Sequence, residues 1–326
     1  MCSKSLYLCN RYRYKMNSID VSVVVSVYNE AEGIANSYAE FSRVLSTMPE
    51  SYELIFVNDG SSDATLSILK PIAESDEHVR LINFSKNFGH ESAMIAGIDY
   101  ARGDAIICMD SDLQHPPTKI PEMVDLWKNG FDVVNMVRLE RKDATLMNKI
   151  TSKCFYKFIN SISDAKLAEN ASDFFLISRN VAEVLKKDFR ERTRFLRGLI
   201  QLVGFTRTTL EYVAQERTAG KSHYSFFKLL KLSFSAISSF SKIPLQLGIF
   251  AGIIFGCISL VLIVYSLVMW FLNTPVSGYT TLVVFMSAFA SVQMFVIGII
   301  GQYLGYIFDE IKGRPIYIVK EIIEKK

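Results

Sequence analysis

The sequence lacks charge over one long stretch: no Asp, Glu, Lys, Arg or His occurs in residues 243–308. A run of this length far exceeds what one helix in the core of a soluble protein needs. Turn-forming residues at 273–278 divide it, and the flanks Leu245–Leu272 and Thr280–Phe308 are each long enough to cross a bilayer of about 30 Å. The absence of charge therefore predicts a hairpin of two transmembrane helices in residues 244–308. An exceptionally apolar pair of soluble helices is the alternative.

Two nucleotide-binding signatures are also absent. Neither Gly-x-Gly-x-x-Gly nor Gly-x-x-x-x-Gly-Lys-Ser/Thr occurs, so dinucleotide-binding and P-loop functions lose their main support. The five cysteines and four histidines are scattered without the spacing of zinc ligands. The net charge of +3 is small and predicts no nucleic-acid partner.

Positive charge is concentrated beside the apolar run. The flanking cations are Lys221, Lys228, Lys231 and Lys242 before it, and Lys312, Arg314 and Lys320 after it. The positive-inside rule therefore places both termini and the N-terminal region in the cytoplasm, with residues 309–326 as a C-terminal tail. In residues 221–243, apolar side chains at helical spacing predict an amphipathic helix on the membrane surface, or else a helix that packs against a core. Residues 1–18 lack the apolar segment of a signal peptide and are predicted to form a disordered tail.

Residues 19–220 alternate short apolar runs with segments of helical length. The runs are Val21–Val27, Tyr52–Val57, Val79–Phe84, Ala105–Met109 and Val133–Val137. Because they are apolar throughout, they predict strands that are covered on both faces. The alternation of such strands with helices predicts an α/β fold with a mostly parallel sheet.

Polar residues follow three of these predicted strands. They are Tyr28, Asn29 and Glu30 after the first, Asp59 after the second, and Asp110, Asp112 and Gln114 after the fourth. Open α/β sheets bind their ligands at this edge, so we expect these side chains to meet there. Two carboxylates and an amide oxygen suit Mg²⁺ or Mn²⁺, while Asp59 can accept a hydrogen bond from a base and Tyr28 can pack against one. Each short motif taken alone could instead be a solvated turn.

These segments carry a resemblance to a known family. Val23–Glu30, Asn58–Asp63 and Asp110–Gln114 resemble the three signatures of family 2 glycosyltransferases with the GT-A fold. Further segments resemble the polyprenyl-phosphate glycosyltransferases, and among them the bactoprenol glucosyltransferases of O-antigen modification. They are Phe84–His90, Ser172–Leu176, Arg194–Gly198, Arg217–Ser222 and Gly313–Tyr317. The resemblance covers about residues 19–322.

The resemblance implies an enzyme of the bacterial inner membrane that moves a hexose, with glucose as our expectation, from a UDP-sugar to undecaprenyl phosphate on the cytoplasmic face. It also implies a homotetramer and a catalytic Mg²⁺ or Mn²⁺. A transferase for another sugar (mannose, GlcNAc or aminoarabinose) is an alternative, as is a protein that only binds or transports lipid-linked sugar. Two chargeless helices offer no polar pathway for transport unless the protein oligomerises. A processive polysaccharide synthase is disfavoured because no Gln-x-x-Arg-Trp occurs.

The resemblance also assigns roles to individual residues. The donor pocket would comprise Asp59, which contacts uracil, with Tyr28, Asn29, Glu30 and Asp110. The metal ligands would be Asp110, Asp112 and Gln114, and the catalytic residues Asp112 and Asp173, the latter as base or positioner for the acceptor. The candidates to hold the acceptor phosphate are Arg138, Arg141, Arg217 and Lys221, each of which could equally be a solvated surface cation.

The chain departs from the family pattern at four positions. Ser26 replaces Pro, His115 replaces Asp, Ser172 replaces Gly and Phe175 replaces Arg. The last change removes a cation beside Asp173. His115 could be a metal ligand, but hard cations prefer oxygen, so a supporting or exposed position is the stronger expectation.

Overall fold

The computed structural model describes residues 19–139, 171–191, 196–213, 243–272 and 278–325. They form two compact units, a sheet unit that includes residues 315–325 and a helical unit that ends at residue 314. The predicted disordered tail and most of the predicted amphipathic segment lie outside the described residues.

The sheet unit is an α/β structure around one mixed sheet. Its strands are β1 (Val21–Val27), β2 (Tyr52–Asn58), β3 (Val79–Phe84), β4 (Ala105–Asp110), β5 (Val133–Arg138), β6 (Ala171–Ser178), β7 (Arg207–Tyr212) and β8 (Val319–Glu324). The order is β7-β5-β6-β4-β1-β2-β3-β8. The four central strands are parallel to one another, as are β5 and β7. The predicted mostly parallel sheet is confirmed, although β6 and β8 pair antiparallel with their neighbours.

Helices cover both faces of this sheet. They are α1 (Ile34–Leu45), α2 (Thr65–Ser75), α3 (His90–Tyr100), α4 (Ile120–Lys128), α5 (Arg179–Asp188) and α6 (Leu196–Leu202). Every residue of β1 is buried, which explains its uninterrupted apolar sequence. Helix α3 lies unusually close to β1, because a Cβ added at Gly97 would stand 2.0 Å from Cγ1 of Val24. Only glycine permits this approach.

The helical unit contains two long helices, α7 (Ile243–Phe271) and α8 (Tyr279–Ile311). They occupy the two segments predicted to span a membrane. Within the described residues, one helix, Val284–Ile311, is long and apolar enough to cross a membrane by length and composition, and Gly252–Tyr265 is a shorter apolar helix. The two predicted helices are therefore present, and two membrane spans remain a prediction.

The segment after α8 returns to the sheet. Residues 319–324, predicted to lie in a C-terminal tail, form the edge strand β8 beside β3. Arg80 of β3 holds this edge, with its guanidinium 2.9 Å from both Glu53 and Glu324. Glu53 and Arg80 are buried, so the pair fixes the sheet where β2, β3 and β8 lie side by side.

Candidate active site

A cleft of about 340 Å³ opens where β1, β2 and β4 end. Six of the predicted site residues line it, namely Tyr28, Glu30, Asp59, Asp110, Asp112 and Asp173. Antiparallel β6 brings Asp173 beside the end of β4, since Phe175 pairs with Cys108. The cleft therefore brings together the ends of the three predicted strands. It also includes β6, which the strand-end pattern did not predict.

Asn29 has a different position from its predicted one in the donor pocket. It is exposed, has a φ of 53°, and is not among the residues lining the cleft. Its backbone N–H donates to Oγ of Ser61 (3.0 Å), and its side-chain oxygen accepts from the backbone N–H of Ser62 (2.9 Å). Asn29 therefore ties the loop after β1 to the loop after β2. The ring of neighbouring Tyr28, which is 48% exposed, remains available to the cleft.

Asp59 organises the loop that closes the cleft after β3. Its two carboxylate oxygens accept hydrogen bonds from the backbone N–H groups of Phe88 (2.6 Å) and Gly89 (2.9 Å). Burial raises the pKa of Asp59, and these two hydrogen bonds oppose the rise. Each oxygen retains a further lone pair, so contact with a base remains open to it.

The loop after β4 has a strained backbone. Leu113 has a φ of 57°, which is unusual for a bulky residue, and its side chain is buried in the core. The turn directs Asp110 and Asp112 to the cleft. Gln114 does not line the cleft, and its backbone N–H donates to Oδ1 of Asp112 (3.1 Å). In this structure Gln114 contributes to the shape of the loop, and its predicted role as a metal ligand is not supported by its position.

His115 supports this loop from its buried side. It is buried, and its Nδ1 accepts a hydrogen bond from the backbone N–H of Asp110 (3.1 Å). Its ring stacks on Phe174 with 5.2 Å between the centroids. Burial lowers the pKa of His115, against the opposing effect of Asp110, so the ring is neutral at neutral pH. His115 is thus a supporting residue.

Asp173 is held by a cation that the sequence pattern did not reveal. Arg197 of α6 places its Nε 2.7 Å from Oδ1 of Asp173 and its second guanidinium nitrogen 3.1 Å from Oδ2. Phe175, which stands where the family has Arg, is buried in the sheet. Burial raises the pKa of Asp173, but His90 and Arg197 outweigh this effect and hold the pKa below its usual value. Asp173 is therefore ionised at neutral pH.

His90 is the site residue that strand-end reasoning missed. It is the first residue of α3, and its Nδ1 lies 2.9 Å from Oγ of Ser26. Its Nε2 lies 3.4 Å from Oδ1 of Asp110 and 3.8 Å from Oδ2 of Asp173. Burial lowers the pKa of His90, but the two carboxylates outweigh it and raise the pKa to about 9. Since β3 is parallel to β1, the same rule applied to the segment after β3 would have placed His90 at this edge.

Comparison with known proteins agrees with this geometry. The model of glycosyl transferase family 2 matches residues 22–185. The chain is 40% identical over 306 residues to an uncharacterized glycosyltransferase of Bacillus subtilis, covering 93% of this chain and 94% of that one. It is 39% identical to the SfII prophage-derived bactoprenol glucosyl transferase of Shigella flexneri, covering 92% and 97%. The chain belongs to glycosyl transferase family 2.

Further similarity lies in the same group of proteins. The prophage bactoprenol glucosyl transferase homolog of Escherichia coli K12 is 37% identical, covering 93% of this chain and 99% of the other. The resemblance to a family 2 glycosyltransferase of the bactoprenol glucosyltransferase group is therefore confirmed. Among solved structures, glucosyl-3-phosphoglycerate synthase of Mycobacterium tuberculosis has a TM-score of 0.45 and 17% identity, covering 68% of this chain and 78% of the other.

The cleft suits a metal ion that is shared with a substrate. No group of three or more His, Cys, Asp or Glu side chains among the described residues could hold a metal without other ligands. Mg²⁺ commonly binds through one or two carboxylates together with substrate phosphates. Asp110 and Asp112 both line the cleft and offer such oxygens, and burial raises the pKa of Asp110, a cost that a bound cation relieves. The donor set fits a metal ion bound jointly with a diphosphate.

The predicted acceptor-phosphate residues are mostly outside the described part of the chain. Arg138 is exposed at the end of β5, the strand on the far side of β6 from β4. Arg141, Arg217 and Lys221 lie outside the described residues. The set that binds the acceptor phosphate therefore remains a prediction.

Proposed function

We propose that this family 2 glycosyltransferase moves glucose from UDP-glucose to undecaprenyl phosphate at the cytoplasmic face of the bacterial inner membrane. The observation that carries the proposal is the convergence of Asp59, Asp110, Asp112 and Asp173 in one cleft. The named bactoprenol relatives support the lipid acceptor and the sugar. The product would be a lipid-linked sugar for O-antigen or envelope glycan modification.

The reaction joins an acceptor oxygen to the sugar and releases UDP. An oxygen of the lipid phosphate attacks the anomeric carbon, a new C–O bond forms, and the bond from that carbon to the diphosphate breaks. Bound Mg²⁺ or Mn²⁺ would supply charge neutralisation for the leaving diphosphate, with Asp110 and Asp112 as its protein ligands. The lipid phosphate is already an anion, so it needs positioning more than deprotonation.

Asp173 supports this view of the acceptor step. Its carboxylate is paired with Arg197 and has a lowered pKa, which makes it a weak base. It is better suited to orient a group in the cleft than to accept a proton from it. We therefore assign Asp173 to positioning, and Tyr28 with Asp59 to the base of the nucleotide.

Chain connectivity supports anchoring by two membrane spans. Strands β7 and β8 belong to the same sheet, while α7 and α8 lie between them in the sequence. The chain must therefore leave and return on the same side of any bilayer, which requires an even number of crossings. A single span by α8 would place β8 on the wrong side. Lys312 and Arg314 after α8 favour the cytoplasmic side for this return.

The proposal is tested with membranes that contain the full-length chain. They are incubated with undecaprenyl phosphate and labelled UDP-glucose, with and without a chelator and added Mg²⁺ or Mn²⁺. We expect a metal-dependent glucolipid, and Asp112→Asn should lower its rate at least about 100-fold. Asp125→Asn, a change at an exposed residue of α4, is the matched control.

Three outcomes would contradict the proposal or a part of it. Absence of a lipid-linked product with UDP-glucose, UDP-GlcNAc, UDP-galactose or GDP-mannose would exclude transfer of the proposed kind. Product formed from another donor in preference to UDP-glucose would correct the sugar alone. Full activity of Asp112→Asn would contradict the metal assignment.

A further inference from the structure

Five acidic side chains line the cleft. The carboxylates belong to Glu30, Asp59, Asp110, Asp112 and Asp173. Among the described residues that line the cleft, His90 is the one that can carry a positive charge. The proposed substrates bring a diphosphate and a lipid phosphate, so anions meet anions there. One metal ion leaves several phosphate oxygens in need of a donor from the protein.

Ser26 holds one ring nitrogen of His90 and leaves the other for the cleft. The hydroxyl of Ser26 is 2.9 Å from Nδ1; it accepts from Nδ1–H when the ring is charged and can donate to Nδ1 when the ring is neutral, and in both cases Nε2 carries a hydrogen. Nε2 faces Asp110 and Asp173, but at 3.4 and 3.8 Å neither contact is a normal hydrogen bond. It lies between the carboxylate assigned to the metal and the one assigned to the acceptor.

We propose that His90 is a phosphate-binding residue whose Nε2 donates a hydrogen bond to a phosphate oxygen of a substrate, and that Ser26 is the residue that positions it. The inference rests on the proposed function, because the phosphate belongs to the nucleotide sugar or to the lipid acceptor. Ser26 stands where the family usually has Pro, which has no hydroxyl.

Two substitutions of His90 separate phosphate binding from a structural role. Asn places its amide near Nδ1, so it can keep the contact with Ser26 but cannot reach the phosphate. Gln places its amide nearer to Nε2 and can still reach it. We expect His90→Asn to lower kcat/KM roughly 10- to 100-fold, the loss of a hydrogen bond to a charged group, and His90→Gln to retain several-fold more activity. The reverse ranking would overturn the proposal, because it would show that the contact with Ser26 is what matters.

The positioning role is tested by a double-mutant cycle. Ser26→Ala alone should lower kcat/KM roughly 3- to 10-fold, and it should cause little further loss in the His90→Asn protein. Equal losses in both backgrounds would show that Ser26 acts independently of His90. His78→Gln and Ser67→Ala, at exposed positions away from the cleft, are the matched controls. The melting temperature of each variant confirms that it is folded.

The source of the phosphate follows from varying each substrate. If His90 binds the diphosphate, His90→Asn should weaken UDP binding in calorimetry and raise KM for UDP-glucose. If it binds the lipid phosphate, KM for undecaprenyl phosphate should rise and UDP binding should stay unchanged. An active parent with an equally active His90→Asn variant would contradict this inference alone. A parent that forms no lipid-linked product would contradict the proposed function.

Discussion

Gly97→Ala should disturb the cleft although Gly97 lies outside it. The added Cβ would stand 2.0 Å from Cγ1 and 2.9 Å from Cγ2 of Val24. Packed carbon atoms are separated by about 3.5–4.0 Å, so α3 and β1 must part by roughly 1.5 Å. Both elements reach the cleft, because α3 begins at His90 and Ser26 lies near the C-terminal end of β1. The substitution therefore acts on the contact between these two residues.

The size of the effect follows from two opposing contributions. Overpacking a buried contact costs about 1–3 kcal/mol, while Ala in place of Gly stabilises the helix by up to about 1 kcal/mol. The net loss of about 1–2 kcal/mol should lower the melting temperature by several degrees, at about 2–4 °C per kcal/mol. A displacement of about 1 Å can cost 100-fold in rate. Thermal unfolding in detergent and the initial rate of sugar transfer to lipid measure the two effects.

Val24→Ala provides the matched control because it removes the two atoms closest to the added Cβ and leaves only Cβ of residue 24, at 3.0 Å. Alone it leaves a cavity beside Gly97 and should cost about 1.5–3 kcal/mol. In the double variant the Cβ introduced at position 97 would enter that space, so stability and activity should exceed those expected from adding the single effects. Strict additivity, or a Gly97→Ala protein with the parent's rate and melting temperature, would refute the reasoning.

Three further predictions concern the charged groups around the cleft. Arg197→Met should lower the transfer rate at least about 10-fold, because it removes the guanidinium that pairs with Asp173, and Arg197→Lys should keep part of that activity. Equal rates of the two variants would contradict this. Burial raises the pKa of Glu91 from 4.5 to about 6. Ionisation of Glu91 therefore lowers the stability of the folded state as the pH rises from about 4.5 to 6, and the whole loss is present above that range. Glu91→Gln should therefore raise the melting temperature at pH 7.5 and change it little near pH 4.5; a lower value at pH 7.5 would show that the charge is needed. Asp59→Asn can accept only one of the two loop N–H bonds and should raise KM for the donor roughly 10-fold, while kcat changes less.

The central part of the fold and the acidic residues of the cleft were predictable from the sequence. Uniformly apolar runs predicted the central strands, and the strand-end rule brought Asp59 and Asp110 together, as observed. That rule depends only on the direction of parallel strands. It says nothing of antiparallel β6, whose residues join the sheet from a distant part of the chain, and whose Asp173 was found through the family resemblance.

Partnerships between side chains of different elements were not predictable in this way. The pairing of Arg197 with Asp173 depends on how α6 packs, and apolar periodicity carries no information on that packing. Asn29 and Gln114 have the polar character expected of ligands, yet the structure uses them in hydrogen bonds that shape their loops. Short polar residues near a site can serve either purpose, and only the backbone geometry distinguishes the two.

The last strand, which follows α8 in the sequence, is part of the sheet that carries the cleft. Tyr317, just before β8, donates a hydrogen bond to Asp99 at the C-terminal end of α3 (2.7 Å), and its ring stacks on Phe84 at the end of β3 with 5.3 Å between centroids. His90 is at the opposite end of the same helix. A protein truncated before α7 would lose these contacts, leave Arg80 without Glu324, and expose β3 as a sheet edge. A soluble catalytic fragment should therefore retain residues 315–326, rejoined to the sheet unit by a linker, and not merely end before the apolar helices.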